Sequence, residues 1–107
     1  MTPHSDSVAA TANHLALLYA QQGGPLGMAL ALAQAAAERA PGHPGADDTL
    51  GWIYYQNGLP LLAIAALKRS IEKDPANPVY RCQLALAYVR SGDWERAKRS
   101  LEQAAWR

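Results

Sequence analysis

The sequence of 107 residues has no phenylalanine, one cysteine, and only six valine and isoleucine residues. Because β-branched and aromatic side chains are enriched in strands, this composition argues against a β-sheet core. The single cysteine, Cys82, excludes an intrachain disulfide framework. No run approaches the ~20 consecutive apolar residues that a membrane-spanning helix needs, so we expect no membrane insertion.

An excess of charge of either sign is also nearly absent. The formal net charge is +1, 18% of the residues are charged and 50% are hydrophobic. Nucleic-acid binding is not expected, because it depends on a basic surface excess, and so apolar a chain is not expected to be disordered. The most frequent residues, 22 alanines and 14 leucines, are strong helix formers. The sequence therefore predicts one all-α domain.

The sequence repeats itself with a period of 34 residues. Residues of the same type recur in the same order in the following pairs: Leu50 and Leu84, Tyr54 and Tyr88, Gly58 and Gly92, Ala63 and Ala97, Leu67 and Leu101. An earlier copy contains Leu15, Tyr19 and Gly23, offset by one more residue, which the Gly23–Gly24 turn can absorb. The pattern indicates three copies of one unit, with residues 1–8 as a flexible segment and repeats at about 9–43, 44–77 and 78–107.

Each copy is predicted to be a pair of antiparallel helices. In the second copy, Gly58 ends the first helix, because glycine adopts the left-handed conformation without steric cost. Pro60 suits the first turn of the next helix, and the residue before Pro75 is pushed out of helical geometry. Small residues, of which Gly51 is one, would let the paired helices approach closely. The three repeat tyrosines are expected to fill the space between the helices: Tyr19, Tyr54 and Tyr88.

The resulting pattern, Leu50-Gly51, Tyr54, Gly58, Ala63, Leu67 and Pro75, resembles the tetratricopeptide repeat over residues 9–107. This resemblance implies an α-solenoid, a right-handed superhelix of three helix-turn-helix hairpins with six helices. No clear C-terminal capping helix follows before the sequence stops at Trp106-Arg107. The tryptophan that frequently opens the family's repeat is replaced here by Asp47 and Arg81.

The resemblance also implies a concave groove lined by the first helix of each pair, in which ligands lie. The residues that would face it are Asn13, Leu17, Gln21, Asp48, Trp52, Tyr55, Gln56, Leu86, Val89 and Arg90. Leu17, Trp52 and Leu86 take the same place in successive copies and are expected to form a ladder. Alternatively, Trp52 and Tyr55 are buried between neighbouring helices, as tryptophan on an amphipathic helix commonly is.

Catalytic signals are weak. His4, His14 and His43 lie in different segments without a carboxylate or cysteine at ligand spacing, so no catalytic, cofactor-binding or metal site is predicted. Asp47 and Asp48 begin a helix, where negative charge complements the helix dipole. The last helix carries a basic cluster, Arg96, Lys98 and Arg99, with Glu95 before it and Glu102 after it. Because acidic residues accompany the basic ones, this cluster is interpreted as a solvated helix face.

These observations predict a non-enzymatic scaffold that binds a partner peptide or helix in its groove, without a cofactor. One alternative is a self-association module, a homodimer formed through the last helix. Another is a piece of a larger bacterial protein of envelope or secretion systems, since the alanine-rich composition suggests a bacterial source. The predicted location is the cytoplasm if the chain is complete and the periplasm or envelope if it is a piece.

Overall fold

The computed structural model describes residues 3–42 and 44–105, and these form helices joined by short turns. The helices are α1 (Pro3–Gln21), α2 (Leu26–Arg39), α3 (Pro44–Gln56), α4 (Pro60–Lys73), α5 (Pro78–Ser91) and α6 (Trp94–Ala105). These two ranges contain no strand, so the all-α prediction is confirmed. The start of α1 falls within residues 1–8, whose flexibility stays a prediction. His43 and Trp106 lie outside the described residues.

The turn inside each hairpin contains a glycine at the repeating position. Gly23, Gly58 and Gly92 have φ angles of 72°, 74° and 86°, the left-handed conformation that ends a helix without steric cost. In the second hairpin the Leu59 N–H donates to the Tyr54 carbonyl at 2.9 Å. The three-copy organisation predicted from the period is therefore seen in the backbone.

Polar side chains begin the helices of the third hairpin. The Asn77 side chain accepts a hydrogen bond from the Val79 N–H at 3.0 Å, ahead of Pro78 in the first turn of α5. The Asp93 carboxylate accepts from the Arg96 N–H at 3.1 Å and begins α6. Each satisfies a backbone donor that has no partner within the helix. These start signals are local, since each cap lies within three residues of the donor that it satisfies.

The helices stack in chain order, and the two sides of the stack differ. Each helix packs on the next one, and in addition α1 approaches α3 and α3 approaches α5. In the described part of the chain, α2 does not approach α4 and α4 does not approach α6 in the same way. We call α1, α3 and α5 the inner helices and α2, α4 and α6 the outer helices. Because the inner helices are closer together, their shared surface is the concave one.

Small residues mark the contacts within each hairpin. Ala16, Gly51 and Ala85 on the inner helices are buried, and so are the alanines that precede the middle of each outer helix: Ala29, Ala63 and Ala97. The larger core side chains Ile53 and Leu67 are 0% and 1% exposed. The interior consists of two clusters built mostly from alanine and a few larger aliphatic groups, and the half-buried Tyr54 packs against both.

The repeat tyrosines are not equally buried. Tyr88 is buried and Tyr54 is half-buried, as expected, but Tyr19 is 39% exposed. The prediction for Tyr19 was wrong because α1 has only α2 and α3 as neighbours in the described structure. The middle helix α3, in contrast, packs against α1, α2, α4 and α5.

Replacing Gly51 by alanine is expected to lower the free energy of unfolding by about 1–2 kcal/mol. A Cβ atom at this position would lie 2.8 Å from Leu67 Cγ and 3.1 Å from Leu67 Cδ2, and the fully buried Leu67 has no room to withdraw. This overpacking outweighs the ~1 kcal/mol by which alanine favours a helix over glycine. Thermal unfolding followed by circular dichroism measures the change.

The control is Gly27→Ala in α2, where a Cβ would meet nothing within 4 Å. This variant is expected to be as stable as the parent or slightly more stable, by less than ~1 kcal/mol. If the two alanine variants melt at the same temperature, the close approach of α3 to Leu67 is contradicted.

Candidate binding groove

All ten residues predicted to line the groove lie on inner helices. Asn13, Leu17 and Gln21 are on α1; Asp48, Trp52, Tyr55 and Gln56 are on α3; Leu86, Val89 and Arg90 are on α5. Leu86 and Val89 remain 46% and 37% exposed. The inner helices thus present apolar groups to solvent along the concave face.

Three of the predicted residues form a contiguous group, which we call the aromatic cluster. The rings of Trp52 and Tyr55 stack at 5.4 Å between centroids with 19° between planes. The guanidinium carbon of Arg90 lies 4.8 Å from the centroid of the Tyr55 ring, and Arg90 Nη1 donates to the Tyr55 carbonyl at 3.2 Å. The cluster therefore joins α3 to α5 across the concave face.

Trp52 and Tyr55 fall between the two alternatives posed for them. Both side chains are half-buried, neither sealed between helices nor freely exposed. Stacking and the cation–π contact each contribute about 0.5–1.5 kcal/mol and hold the rings in place. Each ring therefore keeps part of its surface accessible, as aromatic groups that anchor a partner's side chain do.

Three side-chain oxygens on the inner helices are buried without a hydrogen-bond partner: Asn13 Oδ1, Asp48 Oδ1 and Gln83 Oε1. We call them the inner acceptors. Asn13 and Asp48 take equivalent places in successive copies, 35 residues apart, and were predicted to line the groove. Gln83 was not predicted, because it lies one residue away from the repeating position. An enclosed acceptor without a donor costs the folded protein free energy.

Asp48 is also electrostatically perturbed. Desolvation by burial raises the pKa of its carboxyl group from the ordinary value of 3.8 to about 6. Within the described structure no cation is paired with this carboxylate. On α3, Asp48 lies one turn before Trp52, so the two share a helix face. An ionisable group that is perturbed by burial and lies beside an aromatic anchor is a candidate functional residue.

The other predicted residues also lie on the inner helices. Gln21 and Gln56 are exposed at the ends of α1 and α3, and Leu17 is half-buried. The expected ladder of Leu17, Trp52 and Leu86 agrees with their register and stays a prediction.

Among the residues that the structure describes, no group of three or more His, Cys, Asp or Glu side chains is placed to hold a metal ion. None of the helices described is both long enough and apolar enough to cross a membrane.

Residues 66–99, from the middle of α4 to the middle of α6, match the family model described as tetratricopeptide repeat. The chain belongs to the tetratricopeptide-repeat family. A protein of Pichia angusta named peroxisomal targeting signal receptor is 36% identical over 83 residues. The alignment covers 78% of this chain and 15% of that receptor, so the chain spans a small part of the relative's length. As a tetratricopeptide-repeat array, the chain is a protein–protein interaction module.

Proposed function

We propose that this tetratricopeptide-repeat array binds a segment of a partner protein along the concave face of its inner helices. The observation that carries the proposal is the aromatic cluster, whose half-buried rings lie on the same face as the exposed Leu86 and Val89. A bound segment would supply apolar side chains to the ring of Trp52 and to these two aliphatic groups. Covering them would remove apolar surface from water, which favours binding.

The concave face offers anchors on more than one inner helix. Trp52 and Tyr55 lie on α3, whereas Leu86 and Val89 lie on α5 and remain 46% and 37% exposed. Anchors spread over two helices favour an extended or helical protein segment over a small molecule.

The similar Pichia angusta protein supports recognition as the function, because it is named a receptor. Only recognition of a protein partner is carried over to this chain. We propose a non-catalytic role as well, because the concave face offers anchors, and among the described residues no nucleophile on it is hydrogen-bonded to a base. A bacterial source and an envelope or secretion setting stay predictions from composition.

Replacing Trp52 by alanine is expected to weaken binding of selected peptides by at least about tenfold. Random peptides displayed on phage would be selected on the 107-residue protein, and the selected peptides measured by fluorescence polarisation. Because Trp52 is half-buried, its loss is expected to lower the free energy of unfolding by about 1–2 kcal/mol, below the 3–5 kcal/mol of a core tryptophan.

The matched control is Trp94→Ala on α6, since Trp94 is 68% exposed and away from the inner helices. Its peptide affinities are expected to equal those of the parent. Selected peptides that ignore Trp52, or no peptide selected at all, would count against the groove as the binding site.

A second candidate function is self-association through α6. Leu101 is 51% exposed there, although its repeat equivalent Leu67 is only 1% exposed between α4 and its neighbours. A second copy packing on this face would give Leu101 the environment of Leu67. Light scattering over a range of concentrations is expected to show a dimer that Leu101→Ser converts to a monomer. A strict monomer at high concentration would eliminate this candidate.

A further inference from the structure

The outer side of the array has a groove of its own between α4 and α6. These two helices do not approach each other, and α5 forms the floor with Leu84 and Tyr88. The space has a volume of about 380 Å³. We call it the basic outer groove, because its charged lining consists of four cations, Lys68, Arg81, Arg96 and Arg99, and one carboxylate, that of Glu72.

The preceding outer groove, between α2 and α4, has the same construction and a different charge. It has a volume of about 470 Å³ and is lined by two acidic residues, Glu38 and Asp47, and two basic ones, Arg69 and Lys73. Its cations are neutralised by ion pairs with Asp47 on the floor. In the basic outer groove the floor position equivalent to Asp47, 34 residues later, is Arg81. One structural element is thus repeated with its central charge reversed.

The helical register sorts the charges of α6 between two faces. Arg96 and Arg99 line the groove, whereas Glu95, Lys98 and Glu102 do not. The interpretation of this cluster as a solvated helix face agrees with the exposure of these side chains. The stack adds that Arg96 and Arg99 share a groove with Lys68 of α4.

The groove cations are incompletely neutralised by the protein itself. Arg96 pairs with Asp93 at 2.8 Å, but the pair of Arg99 with Glu95 is 4.0 Å apart and highly exposed. The guanidinium of Arg81 donates to the Pro75 carbonyl, which carries no net charge. In the described structure Lys68 forms no ion pair. An anion entering the groove would thus meet cations from three helices that still have free donors.

We propose that the basic outer groove binds an acidic segment of a partner protein, with its Asp or Glu carboxylates between α4 and α6. Carboxylates suit this site better than a nucleic-acid backbone does. A nucleic acid needs phosphate contacts along an extended basic surface, whereas the whole chain has a net charge of +1 and the adjacent groove holds Asp47 and Glu38. The site is separate from the concave groove, on the opposite side of the array.

The test uses a short fluorescein-labelled peptide of alternating Glu and Ser, and the same peptide with Gln in place of Glu. Fluorescence polarisation on the intact protein is expected to show binding of the Glu peptide, weakened at physiological salt, and at least about tenfold weaker binding of the Gln peptide. Lys68→Gln with Arg99→Gln is expected to lower affinity for the Glu peptide by roughly fivefold or more.

The matched control is Arg39→Gln with Lys98→Gln, which removes the same net charge from exposed residues that do not line the groove. Its affinity is expected to stay within about twofold of the parent. Equal losses in the two double variants would overturn the proposal, since they would indicate only non-specific attraction. It would also be overturned if a single-stranded oligonucleotide of equal charge bound more tightly than the Glu peptide. Circular dichroism verifies that each variant is folded. If the double variant fails to fold, the single variants Lys68→Gln and Arg99→Gln replace it. Each single variant is expected to bind the Glu peptide about twofold more weakly than the parent.

Discussion

Replacing Asp47 by asparagine is expected to lower the free energy of unfolding by about 2–3 kcal/mol, the largest loss we predict for a single substitution. The Asp47 side chain is only 4% exposed and accepts hydrogen bonds from two cations of α4. Arg69 Nε donates at 3.0 Å, and Lys73 Nζ donates to the other carboxylate oxygen. Hydrogen bonds to charged groups contribute about 1.5–3 kcal/mol each, and asparagine offers one neutral acceptor in their place.

The cost of this substitution comes from the carboxylate side of the pairs. Arg69 and Lys73 are 48% and 25% exposed, so both can turn to water when Asp47 is replaced, and no cation is left buried. For a domain of about this size, the loss corresponds to a melting temperature lower by roughly 10–20 °C. Thermal and urea unfolding at neutral pH measure it.

Glu95→Gln provides the isosteric control. Glu95 is 91% exposed and lies 4.0 Å from Arg99, so this substitution is expected to change stability by less than ~0.5 kcal/mol. If the Asp47→Asn variant melts within a few degrees of the parent, the bridge between the start of α3 and the end of α4 does not stabilise the fold.

Only part of the role of Asp47 can be predicted from the sequence. Its place in the first turn of a helix is local information, and the sequence indicates a favourable interaction with the helix dipole. The ion pairs join residues 22 and 26 positions apart in the chain. The repeat predicts that α4 packs on α3, but it does not define which long side chains of α4 reach the buried start of α3.

More of the aromatic cluster could be predicted from the sequence. Trp52 and Tyr55 are three residues apart on one helix, so their common face follows from helical geometry alone. Arg90 lies 35 residues after Tyr55, close to the repeat period, which places it on the same side of the next inner helix. The resemblance to the tetratricopeptide repeat implied one concave surface for all three residues. It could not predict the stacking of the rings or the position of Arg90 over Tyr55, which depend on side-chain rotamers.

Properties that arise between repeats were the hardest to predict. The sequence treats Arg96 and Arg99 together with their acidic neighbours, and only the stack shows that α4 and α6 bring Lys68 to the same groove. Tyr19 is the opposite case, since its exposure results from the number of helices around α1 and not from its own repeat. Composition and period therefore predicted the helices and their order. The charge of the groove between α4 and α6 and the burial of Tyr19 depend on how the helices stack, so they could be determined only from the structure.

Asp48→Asn is expected to stabilise the protein at neutral pH by about 1–2 kcal/mol. Burial raises the pKa of Asp48 to about 6, because the ionised form loses hydration without gaining a partner. The difference from the ordinary value of 3.8 corresponds to roughly 3 kcal/mol, and partial exposure to solvent reduces this. The equivalent place in the first copy holds Asn13, so the fold already accepts the amide there.

The pH dependence of this effect has a definite sign. Below the unfolded pKa, Asp48 is protonated in both states and its charge imposes no penalty on folding. As pH rises from about 4 to about 6, the unfolded chain loses its proton first, so the stability of the parent falls; above this range the loss is constant. The advantage of Asp48→Asn is therefore expected to be small at pH 4 and to reach its full value by pH 7 in urea unfolding.

Asp93→Asn serves as a control of opposite sign. The backbone hydrogen bond from Arg96 lowers the pKa of Asp93, so its ionised form stabilises the folded state above the unfolded pKa and this contribution is lost as pH falls. The two variants should thus diverge from the parent in opposite directions at neutral pH and converge on it in acid. If Asp48→Asn keeps the same stability difference from the parent at every pH between 4 and 7, Asp48 is not a buried carboxylate without a partner.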